Sequence, residues 1–250
     1  MQAQMCLRLM KKDAPVRRRT VRQIQRIFAL ISFLLVTTIV LLAGQSLGLI
    51  PQDLLAFADP ARLLPRPPQI ALISGHAGHD SGAVCTDAAG NVTLTEAEIN
   101  ARVAGLAAQR LRRAGVDVLI LDEFDPLLEN LDAPLLLSLH ADSCIELSGY
   151  KAAGRISSSV PAEDGILLDC LAQHYAAATG LLPHPNTITH DMTHYHAFRR
   201  ILPSTPAAIL ELGFLGGDQT LLVNEADRVA AGVAESVVCY LEQKKNMNEE

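Results

Sequence analysis

The chain has 250 residues, 49% of them hydrophobic, no tryptophan and a formal net charge of −6, enough apolar content to bury one sizeable core as a single domain. The charge is unevenly placed: residues 1–26 carry eight Lys/Arg against one acid, leaving 13 basic and 26 acidic residues for the rest. So acidic a body repels phosphate backbones, which excludes nucleic acid as a partner.

The basic segment, 1–26, ends where an uncharged run begins, "IFALISFLLVTTIVLLAG" (27–44). At helical rise this spans ~27 Å, about the hydrocarbon core of a bilayer, and residues 47–50 extend it. We read 27–50 as a transmembrane anchor. Lys/Arg ahead of it place the N-terminus in the cytoplasm and the body outside, as a single-pass protein of the cell membrane with an extracytoplasmic domain. The competing reading is a cleaved signal peptide. The small-residue stretch "AFAD" (56–59) lies too far past the apolar core for that, and the charged leader is long, so an uncleaved anchor is favoured. Residues 51–68, containing most of "ADPARLLPRPPQ" (58–69), form a stiff proline-rich linker.

Beyond the linker, strands and helices alternate. "QIALIS" (69–74) is a short buried strand that runs into the glycine-rich "GHAGHDSGA" (75–83). "TEAEINARVAGLAAQRLRRAG" (95–115) is a helix with Ile99, Val103, Leu106 and Leu111 on one face. Thr95 and Glu98 form a capping box at its start, and Gly115 stops it. "VDVLIL" (116–121) is a second buried strand, followed by an acidic connector, and "PLLLSLH" (134–140) a third. Residues 162–180 are helical, with Ile166, Cys170, Leu171, His174 and Ala178 as the inner stripe and His174 as a core histidine. "PAAILELGF" (206–214) is a strand, and a last helix covers about 224–243. This alternation implies an α/β fold, a layered and largely parallel sheet with helices on both faces, occupying 69–243 between the linker and a polar tail, 244–250.

Several polar residues fall at strand ends or helix starts, where open α/β sheets bind ligands. His76 follows the first strand, Glu96 opens the first body helix, His140 ends the third strand and Glu211 ends the fourth. Two histidines and a carboxylate make a three-ligand zinc set that leaves a position for water, and a second carboxylate is needed to take that water's proton. A glutamate in an otherwise apolar strand is costly to bury without a role, which singles out Glu211. Glu96 alone has a simpler reading as a charge complementing the helix dipole.

Taken together, "GHAGHDSGA", "EAEIN", "SLHADS" and "PAAILELGFLGG" resemble, in order, the motifs of zinc-dependent N-acetylmuramoyl-L-alanine amidases. That resemblance covers about 69–241 and implies hydrolysis of the amide between N-acetylmuramic acid and L-alanine, with peptidoglycan as the partner. It implies zinc on His76, Glu96 and His140 and an acid/base role for Glu211. The chain departs from the family pattern at the acidic "DEFDPLLENLDA" (122–133), where an arginine-containing helix is usual. It departs again at Asp142, where asparagine is usual, and at Gly216-Gly217, where Ser-Asn is usual. Two other functional classes compatible with these residues are a catalytically inactive wall-binding protein and a zinc peptidase acting on the stem peptide.

The cluster His184, His190, His194 and His196 reads as a polar loop beside the substrate groove rather than a second metal site, with His194 as a substrate contact alongside Asp142. Cys85 and Cys144 each lie a few residues past a proposed ligand, on loops that converge at one sheet edge. An exported protein permits a disulfide between them, and two unpaired thiols are the alternative.

Overall fold

The structure, a computed structural model, describes residues 14–46 and 69–249. The linker expected at 51–68 and the first part of the basic segment lie outside the described residues. The chain divides into two units, Met1–Pro65 and Arg66–Glu250.

Among its described residues the first unit forms the helix α1 (Ala14–Ser46). Its most apolar window, Val21–Val40, has a mean hydropathy of 1.8 with none of it buried, and is long and apolar enough to cross a membrane. Thr37 and Thr38 fold their hydroxyls back onto the carbonyls of Phe33 and Leu34, at 2.6 and 2.9 Å, so both polar groups on the apolar surface are satisfied within the helix.

The second unit is built on a five-stranded sheet from β1 (Gln69–Ser74), β4 (Asp117–Leu121), β5 (Leu136–Asp142), β6 (Lys151–Gly154) and β7 (Ala207–Phe214). The strand order is β4-β1-β5-β7-β6, with every pair parallel except β6 on β7. The apolar runs in the sequence give β1, β4, β5 and β7. β6 is four residues of small or polar side chains, too short to print a period-2 pattern. A separate hairpin of β2 (Val84–Thr86) and β3 (Val92–Thr95) delivers the chain to α2 (Glu96–Arg113). Asp87 closes its turn by accepting from the backbone of Ala89 and Asn91, both at 2.9 Å.

The two faces of the sheet are covered unequally. Ile70 and Leu72 of β1, Leu137 and Leu139 of β5, and Leu210 and Leu212 of β7 pack under α2, α3 (Pro161–Cys170) and α7 (Ala226–Glu249). The alternate residues Ala71, Ile73, Leu136 and Ile209 face Leu128, Met192, Tyr195, Phe198 and Ile201. These come from single turns, including α5 (His190–Thr193) and 3₁₀ turns at Pro126–Leu128 and His196–Arg199. His140 and Glu211 fall on this thinly covered face by strand alternation.

α3 runs into a π turn at Leu171–Tyr175 and finishes as α4 (Ala176–Thr179), capped by Gly180 in the left-handed conformation. The extra residue of the π turn rotates the last part of the helix about its axis. Cys170 and Leu171 are buried as expected, but Tyr175 and Thr179 then take the inward positions, and His174 is left half-buried. The fully buried Tyr175 donates to the carbonyl of Leu212 at 2.6 Å. A short helix, α6 (Gln219–Asn224), precedes α7. Through residue 249 α7 stays helical, and Lys244 pairs with Glu163 at 2.5 Å. Disulfides join Cys85 to Cys144 and, unforeseen in the sequence, Cys170 to Cys239.

Candidate metal centre

The turn after β1 is set by close packing. A β-carbon at Gly75 would lie 2.5 Å from the His140 ring, and one at Gly82, where φ is +60°, 2.5 Å from Glu96 Oε2. Only glycine fits at either place. His76 itself adopts φ 66°, an uncommon conformation for a side chain of its size, and one that clusters at functional sites.

Thr95 caps α2, its hydroxyl accepting from the Glu98 amide at 3.3 Å while the Glu98 carboxylate accepts in return from the Thr95 backbone. Glu98 is thereby occupied as a cap, and Glu96 is the carboxylate turned inward. Glu96 Oε2 accepts from the Ala83 amide at 3.0 Å, and Oε1 accepts from the Ala141 amide at 3.2 Å and Asn100 Nδ2 at 3.3 Å. Asn100 also donates to the Gly75 carbonyl at 3.1 Å, tying α2 to the β1 turn.

The structure brings His76, Glu96 and His140 together, with one ligand atom from each lying within 4.8 Å of the others. Glu96 Oε1 stands 3.2 Å from His76 Nε2 and 3.0 Å from His140 Nδ1. Asp80 holds the other ring nitrogen of His76 at 2.5 Å. Burial opposes ionisation of Glu96, but hydrogen bonds from the two histidines hold its carboxyl well below the usual range. The Glu96 hydrogen bond, against the opposing effect of burial, raises His76 to about 9. Burial works against a charged His140, yet Glu96, Glu211 and Glu123 together raise it. Two histidines and one carboxylate, with outer partners already on the rings, fit the donor preference of zinc.

Glu211 pairs in register with His140 across β5–β7 and with Lys151 across β6–β7. Its Oε2 has no hydrogen-bond partner among the described residues. Burial pushes its carboxyl up to about 7, with Glu96 and Asp142 adding to the rise and His140 and Lys151 opposing it. Asp142, at the end of β5, makes an ion pair with the buried Lys151, which also donates to the Thr187 carbonyl at 3.3 Å.

His194 makes local contacts. Its ring stacks on His190 at 3.8 Å and its Nδ1 faces Thr193 Oγ1 and the His190 carbonyl, with no described contact to the three clustered residues. His196, from the same histidine-rich stretch, does reach the centre, through Glu123 at 2.7 Å. Glu123, Tyr195 and Lys151 were not singled out in the sequence. Glu123 lies two residues past the end of β4, so the strand-end criterion that selects His76 and His140 also selects it. Gly216 and Gly217 have a steric explanation. A β-carbon at either would collide with the backbone of Ile145 or Leu147, which runs directly against this turn.

No protein-family model and no curated protein matches the chain. Solved structures do. The catalytic domain of CwlV, an N-acetylmuramoyl-L-alanine amidase from Bacillus (Paenibacillus) polymyxa var. colistinus, is 24% identical with a TM-score of 0.55, covering 70% of this chain and 98% of that one. An N-acetylmuramoyl-L-alanine amidase from Clostridium difficile 630 is 18% identical with a TM-score of 0.55, covering 72% and 100%. The N-acetylmuramyl-L-alanine amidase Ami1 from Mycobacterium smegmatis is 13% identical with a TM-score of 0.56, covering 70% and 97%. The second unit of this chain has the fold of N-acetylmuramoyl-L-alanine amidase catalytic domains.

Proposed function

We propose that the chain is a zinc hydrolase that cleaves the amide between N-acetylmuramic acid and L-alanine in peptidoglycan. The observation that carries this reading is Glu211, a carboxylate with an unpartnered oxygen, in register with one of three clustered zinc-type donors. His76, Glu96 and His140 would hold the metal. Zinc bound there supplies Lewis-acid polarisation of the amide carbonyl and acidification of the attacking water. Glu211, beside His140 on the next strand with an unpartnered oxygen among the described residues, would accept a proton from the water and return it to the leaving amine. Lys151 draws Asp142 into an ion pair beside Glu211, which limits the negative charge around the base. Asp142 and His194 are proposed as substrate contacts.

α1 is proposed as a single-pass anchor holding the body at the outer face of the cell membrane, in reach of the wall. Protease added outside spheroplasts should then remove the body, and full protection of the body would refute this placement. The activity is tested by digesting purified peptidoglycan with the full chain and identifying the new ends by mass spectrometry. Free L-alanine amino ends are expected, whereas new ends only within the stem peptide, or none, would overturn the assignment.

A further inference from the structure

Among the described residues, Glu123 touches both histidines of the proposed metal set while standing outside it. Its Oε2 accepts from the backbone N–H of His76 at 2.8 Å, at the point where the chain turns into the left-handed conformation. Its Oε1 accepts from Tyr195 Oη and from His196 Nε2, both at 2.7 Å. Three donors converge on one buried carboxylate, which keeps it ionised despite its burial.

The second histidine is reached through its ring. Nδ1 of His140 faces Glu96, which leaves Nε2 as the nitrogen that carries the proton when Nδ1 is a ligand. That Nε2 stands 3.4 Å from Tyr195 Oη and 3.5 Å from Glu123 Oε2. Tyr195 also accepts from Ser138 Oγ at 3.1 Å, so its own proton is directed to Glu123. The chain of donation runs from His140 to Tyr195 to Glu123. Metal-bound histidines characteristically give their second N–H to such a partner, which fixes tautomer and ring orientation.

We infer that Glu123, with Tyr195 as intermediary, is a positioning residue for the metal set, locking the His140 tautomer through its ring and the placement of His76 through its backbone. The inference rests on the reading of His76, Glu96 and His140 as metal ligands. It gives the acidic connector after β4 a function: the loop supplies an outer carboxylate shared by two ligands.

The test uses the full chain with Zn²⁺ in chelator competition and Co²⁺ as a spectroscopic probe. Glu123→Gln keeps the shape and removes the charge, and Tyr195→Phe removes only the intermediary hydroxyl. Glu123→Gln should lower zinc affinity by ~10–100-fold and change the Co²⁺ absorption spectrum, a signature that loss of fold stability alone would not produce. Tyr195→Phe should move both readouts the same way by less, and it decides the question if Glu123→Gln does not fold. Wild-type affinity and a wild-type Co²⁺ spectrum in the folded variants would overturn the inference alone. A wild-type chain without zinc affinity would overturn the metal-set reading and this inference with it.

Discussion

Replacing Glu211 by glutamine should make the metal-free protein more stable while disabling it. The carboxyl sits between His140 and Lys151 in register, its Oε2 without a partner among the described residues, and burial raises it from 4.5 to about 7. A displacement of that size corresponds to about 3 kcal/mol, at about 1.36 kcal/mol per tenfold change in ionisation. The sign is set by proton counts. Between 4.5 and about 7 the folded chain holds a proton that the unfolded chain has released, so stability falls as pH rises through this window. Glutamine keeps the shape and cannot ionise. The advantage of Glu211→Gln should therefore be under about 0.5 kcal/mol at pH 4.5 and grow to about 3 kcal/mol at pH 8. Urea unfolding of the chelator-treated full chain measures it, followed by tyrosine fluorescence. All four tyrosines lie in the second unit and there is no tryptophan, so the signal reports that unit alone. With zinc restored, turnover on peptidoglycan should fall by ~10²–10⁴-fold while zinc content is kept. A stability difference that does not change with pH, or a variant that cleaves at the wild-type rate, would refute the reasoning.

Zinc must displace the proton that His76 holds in its absence, so zinc affinity should rise by about tenfold per pH unit below the His76 value. The rise should continue until His76 is neutral, near pH 9, and calorimetry in buffers of different ionisation enthalpy that finds no proton release at pH 7 would contradict it. His140→Ala should lose zinc and turnover together, whereas His194→Ala should keep its zinc and lose only part of the activity; loss of metal in the His194 variant would reassign that residue. The double replacement Cys85→Ser and Cys144→Ser opens a crosslink across 59 residues, for which chain entropy gives about 4 kcal/mol. An unfolding free energy within about 1 kcal/mol of wild type would show that the bridge contributes little.

The sequence exposed those parts of the fold where one physical signal dominates. β1, β5 and β7 are strands buried on both faces, and such strands appear as uninterrupted apolar runs, while β4, at the sheet edge with Ile120 exposed, is apolar enough to be read the same way. The start of α2 was legible to the residue because Thr95 and Glu98 cap it by a local rule that needs no tertiary context. β6 and the β2–β3 hairpin carry no comparable signal, since their strands are three or four residues long and depend on their neighbours. The π turn in the α3 region escaped a 3.6-residue periodicity by construction, which is why Tyr175 rather than His174 fills the core. At the centre, His76 follows a strand and Glu96 starts a helix as expected, whereas His140 and Glu211, expected at strand ends, lie inside β5 and β7, which run on to Asp142 and Phe214. Glu123 stood in an equivalent place but within an acidic connector that resembled a solvated loop. Its inward direction is fixed by Tyr195 and His196, some seventy positions away, and no local pattern encodes that.

The position of β7 sets the order in which the proposed site can form. It is the last strand in the sequence, yet it lies between β5 and β6. Until it inserts, β5 and β6 have no shared partner and His140 has no carboxylate from that side. Closing a pairing so distant along the chain is slow compared with forming α2 or the β2–β3 hairpin. Glu211 thus comes beside His140 only once β7 has inserted, and a chain interrupted before residue 211 would lack the proposed proton acceptor.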